Sequence, residues 1–122
     1  MSYIWAALAL GVVTAYFLYL YGRAKAGTLP LNGVVGLRTG ATMRNAAVWR
    51  DTHQRYAAVF FVDAVLFGLG AGTLVTLPGV LKQQAGSLEW ISLSIVVIMV
   101  LIGATTFIGG VLAHNYAKSI QG

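Results

Sequence analysis

Three stretches of this chain are almost unbroken runs of apolar residues, and the polar positions fall between them. Residues 1–22 carry no charge, 56–81 carry one (Asp63), and 90–117 carry none. None of the runs alternates apolar and polar positions as a barrel strand does. A helix needs about 20 mostly apolar residues to cross a hydrocarbon layer, and each run is long enough. In lipid an unpaired backbone group costs several kcal/mol, so helices are the natural state of such segments. The pattern therefore predicts an all-α membrane domain with three spans: about Tyr3 to Tyr21, Tyr56 to Leu77, and Trp90 to Ala113. Pro78 and Gly79 are expected to end the second. The first span resembles a secretory leader only in position. It lacks a basic n-region, its apolar run is long and its positive charge follows it, so an uncleaved anchor is expected.

Between the first two spans lies the segment 22–55, the polar part of the chain. Its first half, GRAKAGTLPLNGVVGLRTG, is rich in glycine, contains Pro30 and reads as an irregular loop. Within it, Gly33-Val34-Val35-Gly36 is too apolar for a free linker and is expected to dock on the bundle or lie in the interface. The second half, AAVWRDTHQRYAAVFFV, has no helix breaker. It predicts a short interfacial helix, lying along the leaflet or running straight into the second span. Asn45 or Thr42 supplies the N-cap oxygen. Trp49, His53 and Tyr56 share one face, and Trp49 reads as a membrane anchor.

Composition agrees with this picture. The chain has 122 residues, 58% of them apolar and 9% charged, against about 25% charged in a typical soluble domain. Too few charges remain to cover a hydrated surface, which argues against a soluble globular enzyme. Cysteine is absent, so disulfides and thiolate chemistry are excluded. The net charge of +5 is uneven. Arg23, Lys25, Arg38, Arg44, Arg50 and Arg55 fall in the 22–55 segment and Lys118 in the C-terminal tail, while the 78–89 loop holds only Lys82. By the positive-inside rule this puts the 22–55 segment and the C-terminus in the cytoplasm and the N-terminus outside. The excess charge then faces anionic lipid, and no nucleic-acid partner is expected. The aromatic residues fall near the span ends, as interfacial anchors do.

The string Gly36-Leu37-Arg38-Thr39-x-x-Thr42-Met43-x-Asn45-x-x-x-Trp49-x-x-x-His53 resembles the signature of the SdpI family of small bacterial membrane proteins. The likeness covers residues 22–75 well, and the third span agrees in hydrophobicity. It implies a bacterial inner-membrane protein. It also implies binding roles of the kind found in that family: immunity to a secreted peptide toxin, or signalling that recruits a cytoplasmic regulator. Arg38, Thr39, Thr42, Asn45, Trp49 and His53 become the candidate binding residues. Two positions depart from the family pattern. Arg44-Asn45-Ala46 stands where Ser-Ser-acidic is usual, and Gln54 where a basic residue usually follows the histidine position.

Asp63 lies inside the second span and is costly there, by about 2.5–3.5 kcal/mol at a helix centre on insertion scales. Its neighbours on its own helix are apolar, so Thr14, Tyr16, Thr105 and Thr106 on the other spans are its candidate partners. It is either a proton or ligand site or one interhelical hydrogen bond. Ala64, Gly68 and Gly72 on the second span, and Thr106 and Gly110 on the third, recur at four-residue spacing and predict close helix packing. His53 and His114 fall at the same end of adjacent spans. Without a third ligand they are expected to bond within the interface and not to hold a metal or cofactor. No nucleophile–base pair or paired carboxylate is present. Besides the family reading, two alternatives stand: an accessory subunit of a larger membrane complex, and a proton-coupled transporter resting on Asp63.

Overall fold

The structure is a computed structural model that describes residues 2–31, 36–81 and 87–121. It contains four helices: α1 Ser2–Lys25, α2 Ala46–Arg55, α3 Ala58–Leu81 and α4 Ser87–Gln121. Three of them, all but α2, are long and apolar enough to cross a membrane. α1 and α4 pack on α3 rather than on each other, and α2 lies against the ends of α1 and α4.

The first and third spans exceed their expected bounds at both ends, and the second begins two residues late, at Ala58, but runs four residues past its expected end. Backbone bonds continue while the chain can supply them, whereas the charge pattern marks only where lipid should end. α3 runs through Pro78 and Gly79 to Leu81, so these residues do not terminate it. A proline removes one ladder bond, which an apolar helix in lipid tolerates. α4 has 35 residues, about 52 Å at 1.5 Å per residue, well over the roughly 30 Å hydrocarbon layer. Its last turns therefore extend past the layer, where Ala117 packs on Ala41 and Val48.

α1 stops at a glycine. Gly27 has φ +75°, a left-handed conformation that L side chains rarely adopt. The Thr28 N–H returns to the Arg23 carbonyl (2.9 Å) and the Gly27 N–H to that of Ala24 (3.1 Å), satisfying the helix's last acceptors. The Gln54 side chain of α2 caps the Lys25 carbonyl at 3.3 Å.

α2 begins where expected. Asn45 is its N-cap, accepting from the Val48 N–H at 3.0 Å. It is a separate helix, ending at Tyr56 before the chain turns at Ala57 into α3. Its buried face is Val48, Trp49, Thr52 and His53, with Tyr56 half-buried at the C-cap.

The glycine expectations need two corrections. Ala64 is buried and Gly68 meets Thr14 of α1 at 3.6 Å, but Gly72 touches nothing. A strict four-residue step rotates about 40° around a helix, so Gly72 has turned away from the seam. The seam continues instead through Gly70, which lies against Leu10 and Ile98, to buried Leu74. On α4 the close approach is made by Gly109, against Val59, while Gly110 meets open space.

Candidate functional site

The residues of the 36–53 string converge on one compact hook at the basic end of the bundle. Its centre is an aromatic pair: the Trp49 and His53 rings lie 3.9 Å apart, each residue 1% exposed. The expectation that Trp49 anchors in lipid is therefore wrong. Four residues along a helix place the two rings on one face, and the loop folds over that face and buries it.

The hook is closed by backbone acceptors and donors that would otherwise be orphaned. The Trp49 Nε1–H donates to the Leu29 carbonyl at 2.9 Å. The Leu37 N–H donates to His53 Nε2 at 2.8 Å, and His53 Nδ1 lies 2.8 Å from the Trp49 carbonyl oxygen. Those partners fix the ring chemistry. Nε2 must carry a lone pair, so Nδ1 carries the proton and donates it. Burial pushes the His53 pKa below its ordinary value, outweighing the opposing bond to Trp49. Both nitrogens are thus engaged, and neither is open to a metal. Among the described residues no cluster of three or more histidine, cysteine or acidic side chains is placed to hold one.

Gly36 makes the hook possible. It has φ +114°, and a Cβ there would lie 2.8 Å from both His53 Nε2 and Trp49 Cη2. Only glycine lets the backbone lie against the rings. Of the expected docking stretch, residues 33–35 lie outside the described residues.

The turn after Gly36 is tied by Thr42, which is wholly buried. Its hydroxyl donates to the Leu37 carbonyl (2.6 Å) and accepts from the Thr39 N–H (2.8 Å). Thr42 therefore closes the turn, and Asn45 alone caps the helix. The Thr39 hydroxyl accepts from the Thr42 N–H at 3.2 Å and lies 2.8 Å from His114 Nδ1, tying the hook to α4. A second tie is Arg55, stacked over the Tyr116 ring at 4.8 Å.

Arg38 differs from the other five. It is exposed, and its side chain makes no hydrogen bond or ion pair among the described residues. The structure thus divides the candidate residues into five that hold the hook and one that the hook presents.

Asp63 lies below the hook, 2% exposed. The Thr106 hydroxyl of α4 donates to its Oδ2 at 3.0 Å, so one of the four expected candidates is its partner. Thr14 instead bonds the Leu10 carbonyl of its own helix. Oδ1 is buried and has no partner among the described residues. Asp63 lines a cavity of about 220 Å³ with Thr106, the Tyr16, Phe17 and Phe60 rings, and Gly36–Leu37 of the hook. The sequence reading left Phe17, Phe60 and the His114–Thr39 tie out of the site. For Phe17 and Phe60 the signal was the aromatics on α1 and α3; for the tie it was His114 at the interfacial end of the third span.

Three lipid-length helices and a buried interfacial hook define a small multi-pass helical membrane protein. A family model described as the SdpI/YfhL protein family matches residues 28–112, from the start of the hook through most of α4. A UPF0344 protein of Shouchella clausii is 33% identical over 103 residues, covering 80% of this chain and 76% of that protein. The chain belongs to the SdpI/YfhL family. No solved structure matches it.

Proposed function

We propose that this protein works by binding and not by catalysis, as a bacterial inner-membrane protein of the immunity or signalling type. The observation that carries the reading is Arg38. Thr39, Thr42, Asn45, Trp49 and His53 are used internally, whereas the Arg38 guanidinium is exposed and available to a carboxylate or phosphate. The basic balance of the 22–55 segment and the C-terminal tail supports a cytoplasmic location for this face. A partner there is a cytoplasmic regulator, or the inner-leaflet end of a membrane-inserted peptide toxin.

The test is co-purification of the native protein from its own membranes, with the Arg38→Ala chain in parallel and mass spectrometry as the readout. Loss of specific partners, together with loss of protection against the host's secreted peptides, supports the reading. An unchanged partner set and unchanged protection refute it.

One observation favours a second reading, an accessory subunit of a larger membrane complex. Only 6% of the most apolar window of α4 is covered within the chain. Lipid alone can cover it. Light scattering in a mild detergent decides: a chain that always runs as a lone monomer is not a constitutive subunit.

A further inference from the structure

The hook leaves the Asp63 cavity unexplained. The cavity is lined by α1, α3 and α4 together with Gly36 and Leu37 of the hook. Its polar lining residues are Asp63, Thr106 and Tyr16, and the acidic one is Asp63. No basic side chain lines it among the described residues. One carboxylate oxygen is held by Thr106, and the other is buried without a donor among the described residues. A buried acceptor left unsatisfied is costly, more so for a carboxylate. Such a group in a membrane span is retained where it meets a partner.

The surroundings specify that partner. Phe17 and Phe60 lie 6.4 Å apart between ring centres, and Tyr16 packs edge-on to Phe17 at 6.4 Å. Ring faces attract cations, and an aromatic wall beside a carboxylate is the chemistry that recognises an ammonium group. The size agrees. An apolar cavity of about 150 Å³ admits benzene, so 220 Å³ holds a small ring or short alkyl body together with its ammonium.

We propose that this cleft is a binding site for a lipophilic organic cation, an ammonium carried on an apolar body, with Asp63 as its counter-ion. The ammonium donates to Oδ1, Thr106 fixes Oδ2, and the apolar body lies against the rings. The site is in the membrane part of the fold and does not depend on what Arg38 contacts.

The test uses the full chain in phosphatidylcholine nanodiscs at neutral pH, with 4-phenylbutylamine as probe and 4-phenylbutanol as its uncharged counterpart. Heats from empty discs are subtracted. The expected result is saturable 1:1 binding of the amine, at least tenfold tighter than the alcohol. Asp63→Asn is expected to weaken the amine at least tenfold and to leave the alcohol unchanged. Equal binding of amine and alcohol by the unaltered chain overturns the proposal, and needs no variant to fold. Equal binding of the amine by the Asp63→Asn chain overturns it as well.

Discussion

Substituting Gly36 by alanine tests the hook at its tightest point. Two costs act together. At φ +114° an L side chain is strained, by about 1–2 kcal/mol for a left-handed residue. The new Cβ also falls 2.8 Å from two rings that are themselves buried and pinned by hydrogen bonds, so neither can swing away. Overpacking of this kind costs about 1–3 kcal/mol. Alanine lowers the entropy of the unfolded chain, which returns about 0.4–1 kcal/mol. The net expectation is a loss of about 1–5 kcal/mol. The assay is unfolding in mixed micelles, followed by Trp49 emission in a chain carrying Trp5→Phe and Trp90→Phe. Those two tryptophans are 74% and 62% exposed, so removing them leaves the hook intact and Trp49 as sole reporter. Gly40→Ala is the control, since a Cβ there meets nothing and its backbone is not left-handed. If Gly36→Ala unfolds at the same point as Gly40→Ala, with unshifted Trp49 emission, the hook is not built as described.

Three further outcomes follow from the same packing. His53 must be neutral to accept from Leu37, and burial holds its pKa below the ordinary value of about 6.5. As pH falls below that value the unfolded chain gains a proton that the folded chain resists, so stability must drop between pH 7 and 5. His53→Gln should flatten that part of the profile, and an unchanged slope would contradict the assignment. Thr52 is wholly buried and its hydroxyl has no partner among the described residues. Thr52→Val keeps the shape and removes the orphan, so it should raise stability by about 1 kcal/mol, and a loss of similar size would mean the hydroxyl has a donor or acceptor after all. A Cβ at Gly109 would lie 2.6 Å from Val59 Cγ2, and a β-branched neighbour rotates poorly. Gly109→Ala should therefore cost about 1–3 kcal/mol and Gly110→Ala nothing, and the reverse order would place α4 in the other register.

Much of the fold was legible because lipid imposes one strong rule. Where charge is absent for 20 residues, the backbone must bond to itself, and a helix follows. That rule sets existence, not length. The extra turns of α4 carry polar residues such as His114, Asn115 and Lys118, and packing on α2 keeps them helical. The packing register was less legible, because a small residue allows close approach without requiring it. Gly72 and Gly110 are as small as Gly70 and Gly109, and only the rotation of each helix decides which of them faces a neighbour.

The 36–53 string shows how a motif can be recognised while the contacts that bury its rings stay hidden. Trp49 and His53 look like contact residues because large polar-tipped rings at a membrane face usually meet lipid or ligand. Here the loop brings its own unpaired groups, the Leu29 carbonyl and the Leu37 N–H, to those tips, and the rings are consumed in folding. The partners sit 20 and 16 residues away, so no local pattern announces them. The same accounting, applied to each polar atom in turn, separates structure from recognition. Thr39, Thr42 and Asn45 end on backbone or on His114, and their chemistry is spent. Apart from the buried Thr52 hydroxyl, what remains unspent among the candidate binding residues and the cleft under them is the Arg38 guanidinium on the hook and the Asp63 Oδ1 beneath it. One is positive and exposed, the other acidic and buried, and the Gly36–Leu37 segment next to Arg38 also lines the Asp63 cleft.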